Sequence, residues 1–397
     1  MRRIVKLSIV LAWVVLVAAA AIPHGAVSAQ RDGRGNAQAA LPRDVDPESR
    51  NRLPAVKRDD LDERGKKAYD AAAGGSGLSG APQGAAAIRL HGSGANVRWA
   101  SAAGRQLTEL AILTTAREHD QPYEWSLHEM EAVAVGLDPA VINAVRHRSP
   151  LTGVGEKEAT IIQAGREIFG RHQLSSEMYA RALRLFGKSN LVDILDLMAG
   201  YSGTATRLTA FNQQMPPGWK QFLPLPFTPP DDIHSDSRSR LPLLRNQGAA
   251  PQAVPSLYSR QLAPEGTGPG HITRHGAGVQ TLDARVGTRV MTLAILVTAH
   301  EHDAQYEWTV NEPAARKAGV EPSLVEVVRL RKPPTGLAEK DAIVIEFGRD
   351  LFRKHNVSPE TYARALKAFG ERDLVDLVGL MAQRSSDAAL LIAFDQR

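Results

Sequence analysis

Glu109, Glu124 and His128 are residue types that move protons, and their spacing allows them to act together. Glu124 and His128 stand four residues apart in QPYEWSLHE (121–129), so a helix there places both on one face. A carboxylate can orient an imidazole while the imidazole, titrating near neutrality, carries the proton. Glu109 falls on the preceding helix and meets them if the two helices pack. The plainer alternative is a Glu–His hydrogen-bonding pair that contributes about 0.3 kcal/mol to helix stability and does no chemistry. Tyr123 and Trp125 flank Glu124 and are the candidates for contact with a substrate, although burial in the core is the simpler role for a tryptophan.

The elements that position these residues read as helices. Leu110, Ile112 and Leu113 give Glu109–Glu118 an apolar face. Pro122 suits a first helical turn, and Gly136 suits a stop. Asp138–Pro139 is an N-cap and first position for 139–147. Residues 156–172 place Ile161, Ile162, Gly165, Ile168 and Phe169 on one side. Ser175 caps 176–186, Gly187 closes it, and 190–211 forms a last long helix. Alternating strand patterns are missing, so the expected class is all-α.

The chain also repeats itself. LAILTTAREHD (110–120) returns as LAILVTAHEHD (293–303), and EMYARALRLFG (177–187) as ETYARALKAFG (360–370). LVDILDLMA (191–199) returns as LVDLVGLMA (374–382), always 183 residues on, and about half of the paired residues from Leu110 to Phe211 are identical. Such a long period marks a duplicated domain rather than a solenoid. The second copy carries AQYEWTVNE (304–312), with Asn311 in place of His128 and Thr292 in place of Glu109. One proton-transfer site and one scaffold copy is the economical account.

These motifs resemble the carboxymuconolactone decarboxylase family, which includes the alkylhydroperoxidase D proteins. The resemblance rests on ELAIL, YEWSLHE and the helices after them, and covers roughly 105–215 and 288–397. It implies two tandem helical bundles, at 53–214 and 257–397, joined by the Pro-rich linker 215–256. It also implies a small-molecule substrate, a pseudo-dimer within the chain and homo-oligomers. The peroxidase branch uses a CxxC pair, a histidine four residues later and a glutamate nineteen before that histidine. Those places fall on Gln121, Glu124, His128 and Glu109. The chain has no cysteine, so the thiol cycle of that branch has no nucleophile. The decarboxylase branch implies acid–base chemistry on a carboxylated lactone or keto acid, with no cofactor. The alternative is a non-catalytic helical binding or scaffold protein that kept the fold.

The ends and the charge supply the setting. MRRIVK is basic, LSIVLAWVVLVAAAAI is apolar, and VSAQ offers small residues: residues 1–29 read as a cleaved signal peptide, with export to the periplasm or beyond. An uncleaved anchor is the alternative, but the apolar run falls short of the ~20 residues a spanning helix needs. Residues 30–52 are polar and aperiodic and read as a disordered arm. The net charge of +5 includes Arg2, Arg3 and Lys6 of the leader, and no basic run stands out, so nucleic acid is not an expected partner. RLP at 52–54 and again at 240–242 is a candidate domain start. EHD at 118–120 and 301–303 reads as solvated helix ends, because neighbouring residues there diverge and a metal needs three or four converging groups.

Overall fold

Leu110, Ala111, Ile112, Leu113 and Ala116 lie in the middle of a helix that is buried on every side. Around it the computed structural model describes residues 41–75, 81–94, 96–223, 232–244 and 267–397. Among these residues there are sixteen α-helices and no strand, so the fold is all-α. The first copy contains α1 (Glu63–Gly75), α2 (Gly84–Arg89), α3 (Val97–Ala100), α4 (Arg105–Glu118), α5 (Pro122–Ala134), α6 (Pro139–Arg146), α7 (Glu156–Arg171), α8 (Ser176–Phe186) and α9 (Lys188–Ala210). The second contains α10 (Gly268–Thr273), α11 (Asp283–Val286), α12 (Thr288–Glu301), α13 (Gln305–Lys317), α14 (Pro322–Arg329), α15 (Glu339–Arg353) and α16 (Pro359–Ala393). α16 is broken at Gly370, whose φ of 75° matches the 72° of Gly187 between α8 and α9.

Local chemistry sets the helix starts. Gln121 caps α5 by accepting from the Tyr123 N–H, with Pro122 in the first turn. Asp138 and Ser175 do the same for α6 and α8, and Ser358 for α16, each cap contributing about 1 kcal/mol. α4 packs against α5, α7 and α9; α12 packs against α13, α15 and α16 in the same way.

The two copies interlock. α9 and α16 make the most extensive helix pair. At its centre the hydroxyls of Ser202 and Ser385, repeat equivalents, lie 2.9 Å apart. A Cβ on Gly203 would sit 2.8 Å from the Ala382 carbonyl oxygen, so only glycine lets the helices approach this closely. Each core borrows from the other copy: Tyr123 and Phe211 lie in the second copy's core, and Leu390 and Phe394 in the first's.

Two stretches differ from the expectation of disorder or free linkage. Residues 41–52, the described part of the expected arm, are held in place. The Arg52 N–H donates to the Phe394 carbonyl at 2.9 Å, and its guanidinium pairs with Asp44 at 2.9 Å. Residues 232–244, inside the expected linker, repeat the device. The Arg240 N–H donates to the Phe211 carbonyl at 2.9 Å, and Arg240 pairs with Asp232 at 2.8 Å. Leu53 and Leu241 are buried beside these arginines. Polar composition misleads here because the stabilising partners come from the opposite copy. The expected signal peptide lies outside the described residues, among which no helix is long and apolar enough to cross a membrane.

Candidate active site

The turn between α4 and α5 brings Glu109 to His128. The His128 Nδ1 lies 2.7 Å from the Glu109 Oε2, and Glu109 is fully buried. The other Glu109 oxygen accepts from Arg98 Nε at 3.0 Å and Arg105 Nη2 at 2.6 Å. Arg105 also reaches Glu131 at 3.4 Å. The Trp99 ring lies under both guanidinium groups, 4.4 Å from Arg98 and 3.9 Å from Arg105, and fixes their direction. Arg98 and Trp99 come from α3.

Protonation follows from this geometry. Burial pushes the Glu109 carboxyl up, but His128, Arg98 and Arg105 together outweigh it and hold the group at about 2. Glu109 is therefore a carboxylate, which only accepts, so the proton on His128 sits on Nδ1 and the Nε2 lone pair is free. Burial and then Arg98 lower the His128 pKa, with Glu109 opposing them, so the ring is neutral near pH 7. Glu124 behaves oppositely. Burial drives its pKa well above the ordinary carboxyl value, with Arg98 offsetting only part, and neither of its oxygens has a hydrogen-bond partner. Burial thus favours its protonated form. Tyr201 of α9 completes the cluster: its ring meets the His128 ring edge-on, centroids 4.9 Å apart, and Arg98 bonds its phenol. Burial raises that phenol too. Two titratable groups whose environments act on them in opposite senses thus share one buried cluster.

Glu109, Glu124 and His128 all belong to this cluster; Tyr123 and Trp125 do not contact it as expected of substrate-binding residues. The Tyr123 hydroxyl donates to Thr267 at 3.2 Å and its ring packs in the second copy's core. Trp125 is fully buried in the first copy's core, its indole N–H donating to Glu129 at 2.6 Å. Glu129 in turn pairs with Arg146. Both rings are large and apolar with one polar tip, a shape that suits packing as well as recognition.

Arg98, Arg105, Glu131 and Tyr201 were not singled out by spacing. The repeat carried a signal for three of them. Arg105, Glu131 and Tyr201 are paired with Thr288, Ala314 and Arg384, so the chemistry of this cluster is not kept in the second copy. In the second copy Thr292 bonds back to the Thr288 carbonyl at 2.9 Å, and Asn311 donates to Glu307 at 2.9 Å. Arg384 lies 3.8 Å from Glu307, where the first copy has a tyrosine.

The EHD motifs are not simply solvated helix ends: Glu301 and His302 are buried, Glu118, His119 and Asp120 are half-buried, and only Asp303 is exposed. His119, His172, His302 and His355 line a small cavity of about 30 Å³ between the copies, with Glu118 and Glu301. Burial, then the neighbouring His355, lowers His119 to about 3; burial lowers His302 to about 4. Cross-copy pairs join His172 to Asp303 at 2.8 Å and His355 to Asp120 at 3.6 Å. Among the described residues no group of three or more ligating side chains has the arrangement of a metal site. Comparison with known protein families, characterised proteins and solved structures gives no match for this chain.

Proposed function

We propose that the chain is an exported, cofactor-free enzyme of the carboxymuconolactone decarboxylase type, built from two tandem domains of that family, with chemistry in the first copy only. The observation that supports it is one buried cluster in which Glu109 holds His128 at 2.7 Å while both oxygens of Glu124 are left without a partner. In this reading the substrate is a carboxylated lactone or keto acid, and Arg98 attracts its carboxylate. The bond from carbon to that carboxylate breaks, carbon dioxide leaves, and the electron pair delocalises onto the adjacent carbonyl. The Glu124 carboxyl delivers its proton to that carbon, and the proton is restored from solvent through the Nε2 of His128. The ion-paired Glu109 holds the imidazole in the required tautomer. The two copies act as a pseudo-dimer that assembles further into homo-oligomers.

The second reading, a helical scaffold without activity, draws on burial: the His128 side chain is only 8% exposed and that of Glu109 is fully buried. The experiment that separates them is turnover of carboxylated lactones and keto acids by the wild type, His128→Ala and Asn311→Ala. Activity lost in His128→Ala and kept in Asn311→Ala supports the enzyme reading. Loss in both, or turnover in neither the wild type nor the variants, leaves the scaffold.

A further inference from the structure

The outward faces of α5 and α13 occupy equivalent places in the repeat and are treated differently. Phe222 and Leu223 lie over α5. The Phe222 N–H donates to the Ser126 hydroxyl at 3.1 Å. Leu223, 2% exposed, joins the same core cluster as Trp125. Ser126 is fully buried as a result.

Over α13 the corresponding surface is an open groove of about 610 Å³, lined entirely by residues between 300 and 329. Its floor is Trp308, against whose ring His300 packs edge-on at 5.6 Å. Its rim carries Arg316 and Arg329, both paired with Glu312 at 2.7 Å. Thr309, the counterpart of Ser126, is exposed. Its hydroxyl accepts from the Gln305 side chain at 3.1 Å, which stands in for the backbone N–H that Phe222 supplies to Ser126. Two further polar groups lack the partners they would have in an ordinary helix surface. The buried His300 Nε2 has no hydrogen-bond partner. Pro313 has no N–H, so the usual helical bond to the Thr309 carbonyl cannot form.

We propose that this groove docks an extended peptide segment of a partner protein, with an aromatic residue followed by an aliphatic one. That is the chemistry which Phe222 and Leu223 present to the equivalent face of the first copy. The aromatic and aliphatic side chains lie along Trp308 and the adjoining helix surface, and a peptide N–H replaces Gln305 at the Thr309 hydroxyl. This inference is independent of whether the Glu–His cluster is catalytic.

The probe is an end-blocked, fluorescently labelled peptide of residues 216–223 (PPGWKQFL), titrated onto the full chain by polarisation. Saturable one-site binding is expected, weakened about tenfold in Thr309→Arg, which fills the groove from an exposed position, and tightened in Gln305→Ala. Circular dichroism and Tm check that Thr309→Arg is folded; Arg316→Glu, on the rim, serves in its place if it is not. Binding absent up to about 1 mM peptide overturns the proposal. So does equal binding of a peptide with Phe and Leu replaced by alanine, or binding unaffected by both groove variants. Dimerisation that Thr309→Arg abolishes and the peptide does not inhibit assigns the groove to a second copy of the chain, and also overturns it.

Discussion

The protonation of Glu124 can be tested without a substrate, through stability alone. The perturbation is Glu124→Gln, which keeps the side-chain volume and removes the titrating group. In the folded chain Glu124 is buried without hydrogen bonds, and burial raises its pKa well above the ordinary carboxyl value. In the unfolded chain it titrates near that ordinary value. A group whose folded pKa is raised contributes stability that is fully present below the unfolded pKa and is lost as the pH climbs toward the folded one. Over that window the native state holds one proton more than the unfolded state. The wild type therefore loses about 1.4 kcal/mol per pH unit from this group. Glutamine cannot titrate, so the variant gains on the wild type by the same slope. The other titrating groups contribute to both proteins and cancel in the difference. The assay is urea unfolding of both proteins at several values between about pH 5 and pH 7, with ΔΔG plotted against pH. A ΔΔG that favours the variant increasingly as the pH rises above the unfolded pKa, at up to about 1.4 kcal/mol per unit, is expected. A flat ΔΔG across this range means that Glu124 is already ionised when folded, and the assignment of a buried acid at this site fails.

Glu109 has the opposite sign. Held at about 2, below the ordinary carboxyl value, it contributes stability that is present above the unfolded pKa and lost as the pH falls toward about 2. Glu109→Gln is therefore expected to lower stability at neutral pH through the lost pairing with Arg98 and Arg105, with the deficit shrinking in acid melts; a deficit unchanged at about pH 3 would contradict the ion-pair account. Gly203→Ala places a methyl 2.8 Å from the Ala382 carbonyl oxygen and forces α9 and α16 apart. A loss of about 2 kcal/mol in urea unfolding is expected, far beyond an exposed Gly→Ala control on another helix, and a neutral or stabilising result would show that the helix pair is looser than described.

The amino-acid sequence by itself determined the local structure. Gln121, Pro122, Asp138 and Ser175 act only on the turns beside them, so the helix starts they set could be read without a fold. The meeting of Glu109 with His128, nineteen residues apart, was also legible, because it needs only two adjacent helices to pack. Tertiary structure decided the rest. Whether residues 41–52 are ordered depends on Arg52 reaching the Ala393 carbonyl, 341 residues away, a contact no composition reveals. Tyr123 and Glu124 are neighbours in one motif, yet one enters the core of the other copy and the other joins the buried cluster around His128. Arg98 and Tyr201 reach that cluster from α3 and α9. Spacing along a helix specifies which side chains share a face; what that face meets, and hence whether a carboxyl is ionised or neutral, is set by how the helices pack.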